Sequence, residues 1–230
     1  MRYTDLILKD FPIAVWPLDE TITGTSNFPC YSITDNSASQ SMQGQYVYNS
    51  GWKAVNSGLP LVLGGEDSTF LISNSGQPSL KIPRLNCFSS NSLYTDSTLE
   101  FWIKIEKSSG NEVKIMGVDD SGLESFGLYS YKNYLLFKLN DESFISAPVQ
   151  TWNVQHHVAI TYSYSGIAMI VDGVKYYPLK RIRPDLPFQN NKNFVFYGSS
   201  ELGSVAVDAI AIYKYGLTEQ NCRRHMVYAF

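Results

Sequence analysis

Apolar side chains fall at every second position through several stretches of this 230-residue chain. Leu99, Phe101, Ile103 and Ile105 alternate with Glu100, Trp102 and Lys104, and Val158, Ile160 and Tyr162 repeat the pattern. A period of two is that of a β-strand, whose side chains point alternately to opposite faces. Trp102 on the more polar face of its segment predicts that this face is also at least partly covered. Residues 167–171 return the chain, and the Asp172-Gly173 pair beyond them suits a type I′ hairpin turn, which needs positive φ at both central positions. Further strands are predicted at 13–16, 59–63, 70–72, 114–116, 126–129 and 134–139, with turns at 119–122 and 132–133. Residues 193–197 and 205–213 are expected to form a final strand pair. With 16 Tyr, 12 Phe and only 17% charged residues, the composition favours pleated, half-buried surfaces over helices.

The length suffices to bury a large core, and the chain is read as one domain over 1–230. Thr4 is placed to cap a short N-terminal helix through Leu8, before Pro12 forces an extended path. A second helix is predicted after Thr218, an N-cap followed by Glu219 near the positive end of the helix dipole, with Leu217 packing on Cys222 as a hydrophobic staple. Between 21 and 57, polar residues surround isolated aromatics, the pattern of long surface loops and short strands. The expected class is therefore all-β, a two-sheet antiparallel β-sandwich with a short helix near each end.

A net charge of −3 offers no positive field for phosphates, and the basic stretch at 180–183 is short enough for an ordinary solvated loop, so nucleic acid is not expected as a partner. No segment is long and apolar enough to suggest membrane insertion. Cys30, Cys87 and Cys222 are widely spaced and lack the paired Cys and His spacing of a zinc site; they read as free thiols, with one disulfide as the alternative. Residues 1–9 carry no secretory-signal pattern.

Four segments, in order, resemble laminin G-like, concanavalin A-like jelly-roll modules. Tyr3 to Glu20 (YTDLILKDFPIAVWPLDE) resembles their opening, and Leu99 to Ile103 (LEFWI) resembles their central strand. Trp152 to Gly173 resembles their W-x-x-x-x-H-V-A-x-T-Y segment and V-D-G-V hairpin. Val207 to Leu217 (VDAIAIYKYGL) resembles their closing segment, although Ala209 stands where that motif often has an acid and the connection over 174–192 departs from the pattern. The resemblance implies a concanavalin A-like jelly roll. Such modules include adhesins, lectin-like carbohydrate binders, calcium-dependent receptors and modules that only pack within assemblies.

Enzymes of this fold that hydrolyse glycans use closely spaced carboxylates on one strand, whereas Glu100 has no acid two residues away; the chain is expected not to be an enzyme. His156 and His157, as strand neighbours, point to opposite faces and cannot serve one site, so one is expected inward and hydrogen-bonded and the other at the surface. There is no Gly-x-Ser-x-Gly elbow and no P-loop. The resemblance implies a candidate structural calcium ion at a loop rim, with ligands sought at Asp19 or Glu20, at Asp35 with Asn36, and at Asp208, residues that equally suit turn capping and backbone hydrogen bonding. For a glycan, Trp52, Tyr131 and Tyr134 are candidate stacking rings and Asp119 and Asp120 candidate hydroxyl partners; the rings equally suit a core or a subunit contact.

The expected function is a non-catalytic recognition module of a bacteriophage virion, in a tail, fibre or surface appendage, binding host-surface glycans. The alternative is a structural virion subunit that packs only against other virion proteins, with homo-oligomerisation open in either case. A virion location reconciles the missing signal pattern and free thiols with a module type that mostly acts outside cells, because lysis releases particles without secretion.

Overall fold

A computed structural model describes residues 3–18, 27–28, 43–46, 52–56, 69–73, 78–82, 96–118, 127–139, 142–163, 166–178 and 193–227. In chain order these form helix α1 (Tyr3–Ile7), strands β1 (Ala14–Trp16), β2 (Asn27–Phe28), β3 (Gly44–Tyr46), β4 (Trp52–Asn56), β5 (Thr69–Ser73), β6 (Pro78–Ile82), β7 (Ser97–Ile105), β8 (Val113–Val118), β9 (Gly127–Tyr131), β10 (Tyr134–Leu139), β11 (Glu142–Pro148), β12 (Gln155–Ser163), β13 (Gly166–Val171), β14 (Val174–Tyr176), β15 (Phe194–Tyr197) and β16 (Val205–Tyr213), and helix α2 (Glu219–Val227).

The strands build two antiparallel sheets. The first runs β14-β13-β12-β7-β16-β5-β4 with β1 added beside β16, and the second runs β11-β10-β9-β8-β15-β6-β3-β2. Alternation sorts their side chains as the sequence predicts. Phe101, Ile103, Val158 and Ile160 of the first sheet face Leu128, Leu135, Phe137 and Phe196 of the second in one buried core. The Phe101 and Phe196 rings meet edge to face at 5.2 Å. The opposite face of the first sheet is covered too, as Trp102 implied: Trp102, Ala159, Ile170 and Tyr213 pack beneath Tyr3 and Ile7 of α1 and Cys222 of α2 in a second apolar cluster.

A bulge in β16 governs this second layer. Asp208 lies opposite Trp102 and Ala211 opposite Glu100, so three residue steps on β16 match two on β7. Ala209 absorbs the extra residue with φ of 47°, a left-handed conformation uncommon outside glycine. The bulge changes the parity of the strand. Val205 and Val207 precede it and Ile210 and Ile212 follow it, all in the core between the sheets. Ala211 and Tyr213 are thereby turned toward the helices.

The Asp172-Gly173 turn forms as expected, with φ of 50° and 72°. Thr218 caps α2: its hydroxyl accepts from Asn221 N–H at 3.1 Å, while its own N–H donates to the Asn221 side chain at 3.2 Å, a reciprocal capping box with Asn in place of the usual Glu. Leu217 and Cys222 are both buried in the helix-side cluster. Three expectations need correction. Thr4 lies inside α1, which begins at Tyr3, and so is not its N-cap. The supposed final strand pair does not exist, because β15 belongs to the second sheet and β16 to the first. Residues 174–176 are not part of a long connection but form β14, paired with β13. The predicted strand at 59–63 and turn at 119–122, with Cys30 and Cys87, lie outside the described residues; Cys222 is a buried free thiol. No helix among the described residues is long and apolar enough to cross a membrane.

Candidate functional site

Among the described residues, two features with clustered polar side chains stand out. One is sealed beneath the helices, and the other is an open groove at the seam between the sheets.

The sealed one centres on Glu100, which β7 points toward α1 and α2. His225 Nδ1–H of α2 donates to Glu100 Oε1 at 2.6 Å, His157 Nε2–H donates to the same oxygen, and Tyr213 Oη–H, turned this way by the bulge, donates to Oε2 at 2.6 Å. Tyr3 of α1 approaches Oε1 at 3.4 Å. The other His225 nitrogen donates to Asp10 Oδ2 at 2.8 Å, and Asp10 also pairs with Arg224. Carboxylates accept on both sides of His225, so both ring nitrogens carry protons and the ring is an imidazolium. A relay of alternating charge, Arg224, Asp10, His225 and Glu100, thus runs from the surface into the covered face of the sheet.

Burial alone would raise the Glu100 carboxyl pKa, but the His225 and His157 rings hold it far below the ordinary carboxylate range. Burial alone would lower that of His225; Glu100 and Asp10 reverse this and raise it. Burial, then the Glu100 charge, pushes the Tyr3 and Tyr213 phenols upward and keeps them as donors. Burial, again reinforced by Glu100, keeps Cys222 a thiol.

Glu100, His157 and His225 bring three metal-ligand atoms within 4.8 Å of one another. Ligands roughly 2.0–2.2 Å from a tetrahedral ion would stand about 3 Å or more apart. The 2.6 Å separation of His225 Nδ1 from Glu100 Oε1 is instead that of a charge-assisted hydrogen bond. With both carboxylate oxygens engaged and no exposed surface at Glu100, the cluster locks the two helices to the sheet.

The open feature is a groove of about 440 Å³ lined by residues of the 148–156 segment, the β13–β14 hairpin, Trp102 and Met226. Its volume falls within the roughly 300–1,000 Å³ range of small-molecule sites. Both walls are pinned. On one side Val149 N–H donates to Asn133 O at 2.8 Å and Asn153 N–H to Ile105 O at 2.6 Å. Trp152 Nε1–H reaches Lys132 O at 2.8 Å. On the other side Arg223 Nε–H holds Gly173 O at 3.0 Å, and Lys175 N–H donates to Glu219 Oε1 at 3.0 Å.

His156 joins the walls. Its Nδ1–H donates to Asp172 Oδ2 at 2.7 Å and its Nε2–H to Thr151 O at 2.9 Å. Both partners only accept, so His156 is also an imidazolium. Burial would lower its pKa, but the Asp172 hydrogen bond and charge, with the Thr151 carbonyl, raise it. The Asp172 Oδ1 atom accepts from His157 N–H at 2.9 Å. Gln150, Thr151, Gln155 and Tyr176 also line the groove, and among the described residues their side chains hold no hydrogen-bond partner. Val154 and Val174, 41% and 45% exposed, add apolar surface.

Of the candidate ring residues, Tyr131 and Tyr134 are brought together as a cross-strand pair around the Lys132–Asn133 turn. Tyr134 also lies opposite Pro148 of β11, a lining residue of the groove. Lys132 Nζ sits 5.0 Å over the Tyr131 ring, while Tyr134 is 42% exposed and is the better placed platform. The backbone of Trp52 lies in β4, at the far end of the first sheet from β14, so it does not join the tyrosines. Asp208, sought at a loop rim, instead lies within β16 and is buried. Asp119, Asp120, Asp19 and Asp35, with Glu20 and Asn36, lie outside the described residues. The histidine expectation holds in part: His156 and His157 do point to opposite faces, but both are buried, because the 149–154 segment covers the one expected at the surface. Sequence reasoning missed His225, Asp10, Gln150 and Gln155; for His225 the signal was its i+3 spacing from Cys222 on α2, which places both on one helix face.

Residues 74–222, more than half of the chain, match the laminin G-like family model of the concanavalin A-like lectin/glucanases superfamily. The chain belongs to that family. Among solved structures it is similar to Trypanosoma rangeli sialidase in complex with sialic acid, with a TM-score of 0.60 and 15% identity over 93% of this chain and 32% of that one. It is also similar to the binding domain of Paraclostridial Mosquitocidal Protein 1, with a TM-score of 0.63 and 15% identity over 96% of this chain and 52% of that one. A point mutant of HCR/D gives a TM-score of 0.61 and 17% identity over 95% and 52% of the two chains. The chain thus spans about a third to a half of these neighbours, and at such identities the likeness establishes the fold. No curated protein sequence matches the chain.

Proposed function

We propose that this protein is a non-catalytic glycan-recognition module whose binding site is the groove between the 148–156 segment and the β13–β14 hairpin. The observation that carries the reading is the groove's polar lining: two amides, a hydroxyl and a phenol, unengaged among the described residues, stand on walls fixed by hydrogen bonds. Sugars need such groups, set beside an apolar surface and held in place before binding. Tyr134 at the rim supplies a ring for stacking. The lectin-type family and the binding domain among the structural neighbours support the same role. Glu100, the acid weighed for hydrolysis, is sealed beneath the helices and takes no part.

The finer proposal, drawn from the sequence, is that the module belongs to a bacteriophage tail, fibre or surface appendage and that its ligand is on the host surface. A glycan array with purified protein, run with and without calcium, tests the recognition role. Selective binding that falls at least tenfold in Gln155→Ala and Tyr134→Ala supports it. A folded protein that leaves every glycan unbound removes it and favours the packing-only alternative. Dependence on added calcium would show that an ion belongs to the site.

A further inference from the structure

The charges around the groove say which sugars it accepts. Among its described lining residues there is no lysine or arginine. The cationic side chain present is His156, and both of its N–H groups are already directed to Asp172 and Thr151. The Asp172 carboxylate is 39% exposed and lies in the groove wall. An acidic sugar would therefore bring its carboxylate up to Asp172 and lose hydration with no cation free to receive it, because both His156 N–H groups and the Arg223 Nε–H are already engaged, a repulsive contact that selects against that ligand class. An uncharged pyranose meets neither obstacle. Its hydroxyls can both donate to and accept from the Gln150 and Gln155 amides, and its C–H face can lie on Val174 and Tyr176.

We infer that the groove takes uncharged hexopyranose residues and excludes sugars carrying a carboxylate, although one structural neighbour was solved with sialic acid. This inference rests on the glycan-recognition reading above. The test is an array of neutral oligosaccharides printed beside the same oligosaccharides capped with sialic or glucuronic acid. It is probed with the native protein, with Gln155→Ala and with Thr151→Lys, each first shown to be folded by circular dichroism. The native protein is expected to bind at least one neutral member and to bind its acid-capped partner at least tenfold more weakly. Gln155→Ala should lose the neutral ligand, and Thr151→Lys, which places an ammonium beside the groove, should gain the acid-capped one. Binding of acid-capped members by the native protein equally well or better overturns the inference and leaves glycan recognition standing. A blank array from folded protein overturns both.

Discussion

His225 has a carboxylate on each side, and this arrangement makes stability depend on pH from two directions. Its raised folded pKa means that its contribution is complete below the ordinary imidazole value of about 6.5 and is lost as pH rises through the folded value. Glu100 has the opposite sign: its depressed folded pKa gives a contribution complete above the ordinary carboxylate value of about 4.3 and lost as pH falls through the folded one. Thermal unfolding followed across pH should show a maximum between about pH 4.5 and 6.5 with a decline on the alkaline side. His225→Gln should lower stability throughout and flatten much of that alkaline decline; an unchanged alkaline limb would show that the helix-side imidazolium does not contribute. Glu100→Gln should cost about 3 kcal/mol or more in chemical denaturation, since it removes the fully buried one of the two carboxylates paired with the His225 cation, and a loss below about 1 kcal/mol would contradict the lock. The β-strand carrying Glu100 was legible from its alternation, but its partners were not. His225 is 125 residues from Glu100 and 215 from Asp10, so only the folded chain brings them together.

At the scale of elements, the turn residues were readable and the sheet assignments were not. Asp172-Gly173 announced its hairpin because few pairs tolerate positive φ twice in succession. Gly173→Ala should be costly in a specific way: besides the strained φ of 72°, a Cβ there would stand 2.5 Å from Arg223 Cγ, on the residue that clamps the hairpin to α2. The expected loss is about 1–2 kcal/mol, together with weaker glycan binding, because one wall of the groove loosens. A variant with native stability and native binding would show that the clamp is dispensable. The β16 bulge left a trace in the sequence as well, since Val205 and Val207 keep one parity and Ile210 and Ile212 the other. Deleting Ala209 should remove the extra residue and leave a continuous alternation in which Ile210 and Ile212 still face the inter-sheet core and Ala211 and Tyr213 still face the helices. The expected outcome is a retained cooperative unfolding transition, and loss of that transition would contradict the parity argument. The separation of β15 from β16 gave no such trace, because either sheet offers each strand an apolar face and only the topology decides between them.

For the molecule as a whole, the two-sheet sandwich follows from alternation, turn residues and family resemblance together, whereas the groove follows from topology. It lies where β11, the edge of the second sheet, approaches β13 and β14, the edge of the first. The segments that line it are separated by a whole strand pair in sequence. Tyr131 and Tyr134 could be picked out as candidate stacking rings, but their relation to Gln150 and Gln155 depends on the pairing of Tyr134 with Pro148. The same seam explains how one chain keeps two kinds of polar chemistry apart: the ion pairs under the helices are sealed and structural, and the groove at the sheet edges is open with its hydrogen-bonding groups available.

The most direct test of this account is a titration of isotope-labelled protein with the strongest array ligand, followed by amide chemical shifts. The account predicts saturable shifts concentrated at 148–156 and 172–176, with the Gln150 and Gln155 side-chain amides among the largest. Saturable shifts confined to another face of either sheet, with these residues unmoved, would contradict it.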